Sequence, residues 1–292
     1  MTIKKLLAAS LLFFAFVTTP FAQAQSSVWK VSNSGNYFYL AGTIHVLSPQ
    51  DHPLPNEFYQ AYKDADKLIF ETDMSASKSS AYQQKFLSAM QGSNDDTLVK
   101  ALNTATYERL KHYLNQRNIQ ITHFSKYYPW ALSVTLSLIE YHRLGMVGEY
   151  GVEEHFYKKA LLDKKPLGQL ETVDQQIASI QSMGNIEANL MINYTLDDLA
   201  QLPEYIKVMK LNWRSGDLEA LTNSPVVKKM REDFPELYNT LVVKRNNNWL
   251  PTLKALNHNN LTEFVMVGTL HLNAPDGLIN QLKLAGFKVE PL

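Results

Sequence analysis

Cysteine is absent from all 292 residues. That excludes thiol nucleophiles, thiolate metal sites, disulfide staples and lipid attachment to a cysteine after a leader. Net charge is missing too, since 28 basic side chains balance 28 acidic ones. A chain so balanced carries no electrostatic footprint for nucleic acid or anionic lipid, so neither is expected as a partner. His-Glu-x-x-His, Gly-x-Ser-x-Gly, Gly-x-Gly-x-x-Gly and Walker A loops do not occur. Their absence removes thermolysin-like zinc helices, the serine elbow, and the common dinucleotide and P-loop sites.

Long hydrophobic runs are scarce. The strongest, Leu6 to Val17, follows Lys4 and Lys5 and precedes Ala22 and Ala24 in an A-x-A arrangement. It is short for a membrane span of about 20 residues and has the layout of a secretory signal peptide, residues 1–24, cut after Ala24. The expected mature chain, 25–292, would then be periplasmic or secreted, with no stable membrane span.

Apolar and alternating segments predict strands near residues 28–48, 67–72, 166–171, 262–271 and 287–291, the first a hairpin around "SNSGN". A helix is expected after an Asn56 N-cap. Helical spacing fills much of the rest, notably about 75–145 and 185–257. The pattern implies one α/β domain: a central mixed β-sheet with flanking helices, the two helical stretches forming insertions or a cap.

Polar groups gather where these strands stop, and loops at strand ends are where a rigid scaffold presents chemistry. Gly42-Thr43-Ile44-His45 ends one strand and Gly268-Thr269-Leu270-His271 ends another; Glu71 in "FETDM" and Glu171 in "QLETVD" end two more. Gly42 and Gly268 allow a sharp turn or a close backbone approach. Two neutral imidazoles with one or two carboxylates suit a divalent ion with an open position, and a carboxylate outside the coordination shell suits a general base. A single Gly-x-x-His is more often a turn with a hydrogen-bonded histidine, and a lone strand-end glutamate more often pairs with an arginine or caps a helix. It is the duplication in matching contexts that favours chemistry. His52, before Pro53, reads as shaping its turn, and His112, His123, His142, His155 and His258, on polar or helical surfaces, read as solvated. Arg245, followed by Asn246 and Trp249 in "KRNNNW", is placed to pin a carboxylate of the site or of a substrate, or to form a surface salt bridge.

The segments "LAGTIHVLSPQDHPLP", "KLIFETDM", "GVEEHFYKKALLDKKPLGQLETVDQQI", "KRNNNW" and "MVGTLHLNAPDGLINQLKLAGFKVEPL" resemble the TraB/GumN family, which takes in PrgY-type pheromone regulators and the animal Tiki metalloproteases. The family's paired Gly-x-x-His falls on Gly42/His45 and Gly268/His271, its strand-end glutamate on Glu71, its Leu-Glu-Thr on Leu170-Glu171-Thr172 and its Arg-Asn on Arg245-Asn246. The resemblance implies an erythromycin-esterase/ChaN-like fold and a protease dependent on a divalent metal ion, manganese or cobalt ahead of zinc. His45 and His271 would bind the ion, and Glu71 would complete its coordination or serve as base. Glu171 would support the site, and Arg245 would hold a substrate carboxylate or an oxyanion. Leu270 departs from the small residue common before the second histidine. A peptide or small-molecule substrate is expected; the alternative is a non-catalytic protein that sequesters a peptide or haem.

Overall fold

The hairpin is built from Val28–Asn33 (β1) and Asn36–Thr43 (β2), paired antiparallel out to Asn33 and Asn36. Ser34 and Gly35 form its two-residue loop, both at positive φ (51° and 95°), as a turn matched to the twist of the flanking strands requires. Lys67–Phe70 (β3), Leu167–Gln169 (β4), Glu263–Gly268 (β5) and Lys288–Pro291 (β6) complete a six-stranded sheet in the order β4-β3-β5-β2-β1-β6. The computed structural model describes residues 26–292, and the expected signal peptide, 1–24, lies outside the described residues.

The sheet is mixed, as the pattern implied. β4, β3, β5 and β2 run parallel, whereas β1 is antiparallel to both β2 and β6. Parallel strands covered on both faces need continuous apolar runs, and "LIF" of β3 and "FVMV" of β5 are buried throughout. Phe58 from the Asn56–Asp64 helix, Phe156 from the Val152–Asp163 helix and Trp213 pack together and onto Phe264 of β5, with neighbouring ring centres 5.6–6.4 Å apart. The Asn56–Asp64 helix begins one residue earlier than its expected cap implied. Pro55 holds the cap position, and its fixed φ of −54° leads directly into the first turn.

A second apolar core lies among helices alone. Leu110 and Leu114 (Thr104–Asn115), Leu132 and Leu136 (Pro129–Arg143), and Ile192, Leu196 and Leu199 (Ala188–Ser215) share it. The helical stretches expected near 75–145 and 185–257 therefore pack on each other. Met209 and Val46 tie this layer to the sheet, the first touching both cores.

Candidate functional site

The four parallel strands end along one edge, so the residues that follow them come side by side: Glu171 after β4, Glu71 after β3, His271 after β5 and His45 after β2. The main chains touch as well. Glu171 donates its N–H to the Glu71 carbonyl at 2.8 Å, and the Thr269 hydroxyl donates to the Thr43 carbonyl at 2.8 Å across 226 residues of sequence. Glu171 does not cap the helix it precedes. Thr172 does so, accepting from the Gln175 N–H in a capping box with Val173–Gln181.

Gly268 is an ordinary residue in conformation (φ −54°), so its use is space rather than a turn. A Cβ there would stand 3.3 Å from Glu71 Oε1, 3.4 Å from His45 Nε2 and 3.8 Å from His271 Cδ2. The missing side chain thus leaves a cradle ringed by the three side chains expected to bind an ion. At Gly42 a Cβ would lie 2.8 Å from Leu272 Cδ1, so that glycine admits the turn after β5.

Arg245, in the Lys244–Leu256 helix just after a π-helical turn at Asn239–Val243, locks the two carboxylates together. Its Nη2 donates to Glu71 Oε2 and Glu171 Oε1, both at 2.6 Å, and its Nε to Glu171 at 3.1 Å. The indole N–H of Trp249 donates to Glu171 Oε2 at 3.2 Å, and the Gly268 N–H to Glu71 Oε1 at 2.6 Å. Burial alone would raise the Glu71 pKa; the adjacent guanidinium, joined by both histidines and the Gly268 N–H, outweighs it and holds the carboxyl at about 2. At Glu171 burial wins over the Arg245 bonds, and the nearby Glu71 charge adds to it, so its pKa is raised. The acceptor that the sequence left open between site and substrate is, in this structure, both site glutamates.

Each histidine has its Nδ1 fastened. His271, buried, places Nδ1 2.7 Å from Asn246 Oδ1, and Asn246 uses its amide N–H groups on the carbonyls of His271 (3.1 Å) and Asp276 (3.0 Å). With the amide oriented by those carbonyls, its oxygen accepts, and His271 carries its proton on Nδ1. The Nε2 lone pair faces Arg245 Nη1 at 3.1 Å and Glu71 Oε1 at 3.8 Å. Burial drives the His271 pKa down to about 3, with Arg245 acting in the same direction against the pull of Glu71. His45 has Nδ1 2.7 Å from Glu153 Oε1, which also accepts the Thr43 hydroxyl. The Glu153 charge raises the His45 pKa to about 9, although the imidazole is 64% exposed and water screens the pairing.

Glu153 is the residue that sequence reasoning missed. It stands in the first turn of the Val152–Asp163 helix, whose start sits hard against the exit of β2. Val152 donates to the Ile44 carbonyl at 3.2 Å, and a Cβ on Gly151 would fall 2.2 Å from the His45 carbonyl oxygen. The available signal was a glycine followed by two acids in "GVEEHF". The helix dipole accounts for acids at that place, and so hides the one that has a partner across the fold.

His112, His123, His142 and His258 are exposed as expected, but His52 and His155 are not free surface groups. Their rings lie 5.2 Å apart, half-buried, with His52 Nε2 2.9 Å from the Tyr150 carbonyl. Aromatic neighbours Tyr59 and Phe156 surround His155 and draw it inward.

Among the described residues no group of three or more His, Cys, Asp or Glu side chains stands ready to hold a metal ion. The donor chemistry of His45, His271 and Glu71 nevertheless fits one. Ligating histidines characteristically have the other ring nitrogen tied to a carboxylate or carbonyl, and both histidines do. What stands between the donors and an ion is one Arg245 N–H on the His271 lone pair and the proton that the Glu153 charge holds on His45, which an ion would have to displace.

No helix among the described residues is long and apolar enough to cross a membrane. The chain is 25% identical to uncharacterized protein YbaP of Escherichia coli (strain K12) over 247 residues, covering 85% of this chain and 88% of that protein. It is 24% identical to uncharacterized protein YbaP of Shigella flexneri, covering 84% and 87%. No solved structure matches it. The model of the TraB/PrgY/gumN family matches residues 27–291, almost the entire described chain, and on that match the chain belongs to the TraB/PrgY/gumN family.

Proposed function

We propose that this protein is a divalent-metal-dependent hydrolase of peptide bonds, exported to the periplasm or beyond, on an erythromycin-esterase/ChaN-like variant of the α/β fold. The observation that carries the reading is the pair of fastened histidines: Glu153 and Asn246 hold the two Nδ1 atoms, which leaves both Nε2 atoms beside Glu71 and the Gly268 cradle. A divalent ion, manganese or cobalt ahead of zinc, supplies polarisation of a carbonyl and activation of water when bound. His45, His271 and Glu71 are its holders.

Glu71, kept ionised at about 2, is a good ligand and a weak base. Glu171, with its raised pKa, is the better match for proton transfer, and Trp249 and Arg245 fix its place. For His271 to ligate, Arg245 must withdraw Nη1 from Nε2. Because the guanidinium is planar and rigid, Nη1 leaves Nε2 only if the His271 ring turns away or the whole group shifts and loosens its bonds to Glu171 and Glu71. The released N–H is then the donor for a substrate carboxylate or a developing oxyanion.

The test is metal content after chelation and reloading with manganese, cobalt or zinc, comparing the wild type with His45→Ala/His271→Ala. The expected result is stoichiometric binding in the wild type and its loss in the double variant. Equal binding in both would sink the metal assignment. Retention of a peptide or haem without turnover would identify a sequestering protein instead.

A further inference from the structure

His45 and Arg245 each line two clefts, of which one holds several charged side chains and the other is almost wholly apolar. One, of about 660 Å³, carries the charged groups Lys78, Glu149 and Glu154 among apolar residues such as Phe70, Met74 and Ile180. The other, of about 440 Å³, also takes in Thr269 and His271 and is walled by Leu138, Tyr141, Tyr205, Met209, Met230 and Leu241. The apolar cleft continues into a further space of about 360 Å³ between the Pro129–Arg143 and Ala188–Ser215 helices, where Met183 and Met191 join the wall. Leu241, on the π-helical turn whose carbonyl accepts from Arg245, lines all of these spaces and stands at the junction. Insertions of this π-helical kind often mark functional positions.

We infer that the substrate is an extended peptide that lies across the His45–Arg245 junction and seats one large apolar side chain, such as leucine or phenylalanine, in the methionine-lined cleft beside His271. This rests on the hydrolase reading and adds its specificity. Several observations point to this occupant. The cleft is continuous with the histidines and Arg245, so a group inside it is adjacent to the reacting centre. Its rim exposes Leu138 (53%) and Leu270 (37%), apolar surface that a bound side chain would cover. Methionine walls adapt to side chains of differing shape, so they favour a class rather than one residue. The cleft on the other side of the same centre sets the Lys78–Glu154 pair and Glu149 among its apolar residues, so it can take a chain that carries both apolar and polar groups further along, as a peptide does. Leu270, the bulky residue ahead of the second histidine, gains a role as part of the apolar wall.

The experiment uses metal-reloaded protein and blocked hexapeptides identical except for one central residue: Leu, Phe, Ser or Asp. Cleavage is followed by mass spectrometry, and the methyl signals of Met209 and Met230 by carbon-13 NMR in chelated samples. We expect kcat/KM for the Leu and Phe peptides to exceed that for Ser and Asp by about tenfold or more, the scale of pocket discrimination. The two methyl signals should shift saturably with Leu and Phe alone. Leu138→Asp, on the exposed rim, should lower kcat/KM for the Leu peptide several-fold with metal content unchanged. Cleavage of all four peptides at equal rates overturns the inference and leaves the hydrolase reading standing. Saturable methyl shifts without cleavage support the apolar subsite and overturn the hydrolase reading. If neither occurs, or if a free fatty acid shifts the methyls and the peptides do not, the peptide inference is wrong.

Discussion

Arg245→Met replaces the central cation by an apolar chain of similar reach, and its cost can be worked out by two routes. The Arg245, Glu71 and Glu171 side chains are all within 12% of full burial. Breaking such a buried arrangement by removing one partner costs about 3–5 kcal/mol, because the charges left behind have neither water nor a counter-ion. The second route is proton linkage. Holding the Glu71 carboxyl at about 2, against 4.5 in the ordinary state, contributes about 3 kcal/mol. That contribution is fully present above pH 4.5 and is lost as pH falls toward 2, since the folded pKa is depressed. Glu171 acts in the opposite sense: its raised pKa favours the folded state in acid, and that contribution is lost as pH rises through the folded value. Urea denaturation of chelated protein should therefore show the variant less stable by about 3–5 kcal/mol at pH 7. By pH 3 the gap should narrow by about 2 kcal/mol, because the wild type has lost most of the Glu71 contribution. A gap that is the same at both pH values, or below about 1 kcal/mol at pH 7, would refute the assignment of Arg245 as the charge that keeps Glu71 ionised.

Other perturbations separate the parts of the site. Gly268→Ala needs no backbone change, so stability should stay within about 1 kcal/mol; a competition titration should show metal affinity reduced at least about tenfold, and unchanged affinity would remove the cradle from the argument. Asn246→Leu takes the acceptor from His271 Nδ1 and leaves the buried His271 carbonyl unpaired, while the Asp276 carbonyl keeps its Gln281 donor, for a cost of about 1–3 kcal/mol in urea denaturation. The same variant should bind metal about ten- to a hundredfold more weakly, and retained affinity would argue against His271 as a ligand. Gly151→Ala drives a methyl into the His45 carbonyl and should destabilise the chain by about 1–3 kcal/mol. By NMR titration of chelated protein, the His45 pKa should drop in that variant from about 9 toward its ordinary 6.5 as the Glu153 contact loosens; an unmoved pKa would show that the helix start does not position Glu153.

Much of the architecture is legible because buried parallel strands must be written in apolar residues and must stop where polar ones begin. "KLIFE" and "FVMVGT" state both facts locally, and the repeated Gly-Thr-x-His tells the reader that two strand ends share a purpose. The roles within the repeat are another matter. Thr43 pairs with Glu153 while Thr269 pairs with the Thr43 carbonyl, and one histidine is exposed while its counterpart is buried. The cause is a one-residue offset: Thr43 lies opposite Gly268, so like residues of the two copies are not aligned. Glu153 stayed hidden because its partner lies 110 residues away and its local setting has a sufficient explanation. Arg245 was visible as a cation near an aromatic residue, but local sequence does not say which carboxylates a helix will meet.

The adjacency of β2 and β5 also bears on when this chain becomes chemically competent. Their pairing joins Thr43 to Gly268, and Arg245 and His271 both come from the last fifth of the polypeptide. Synthesis delivers the N-terminal hairpin early, but the contacts that complete the sheet await nearly the whole chain, and such non-local pairing is slow to form. A nascent or C-terminally shortened polypeptide therefore possesses His45, Glu71, Glu153 and Glu171 yet lacks the groups that turn them into a centre. The cluster of Glu71, Glu171, Arg245 and His271 thus assembles only once nearly the whole polypeptide is present.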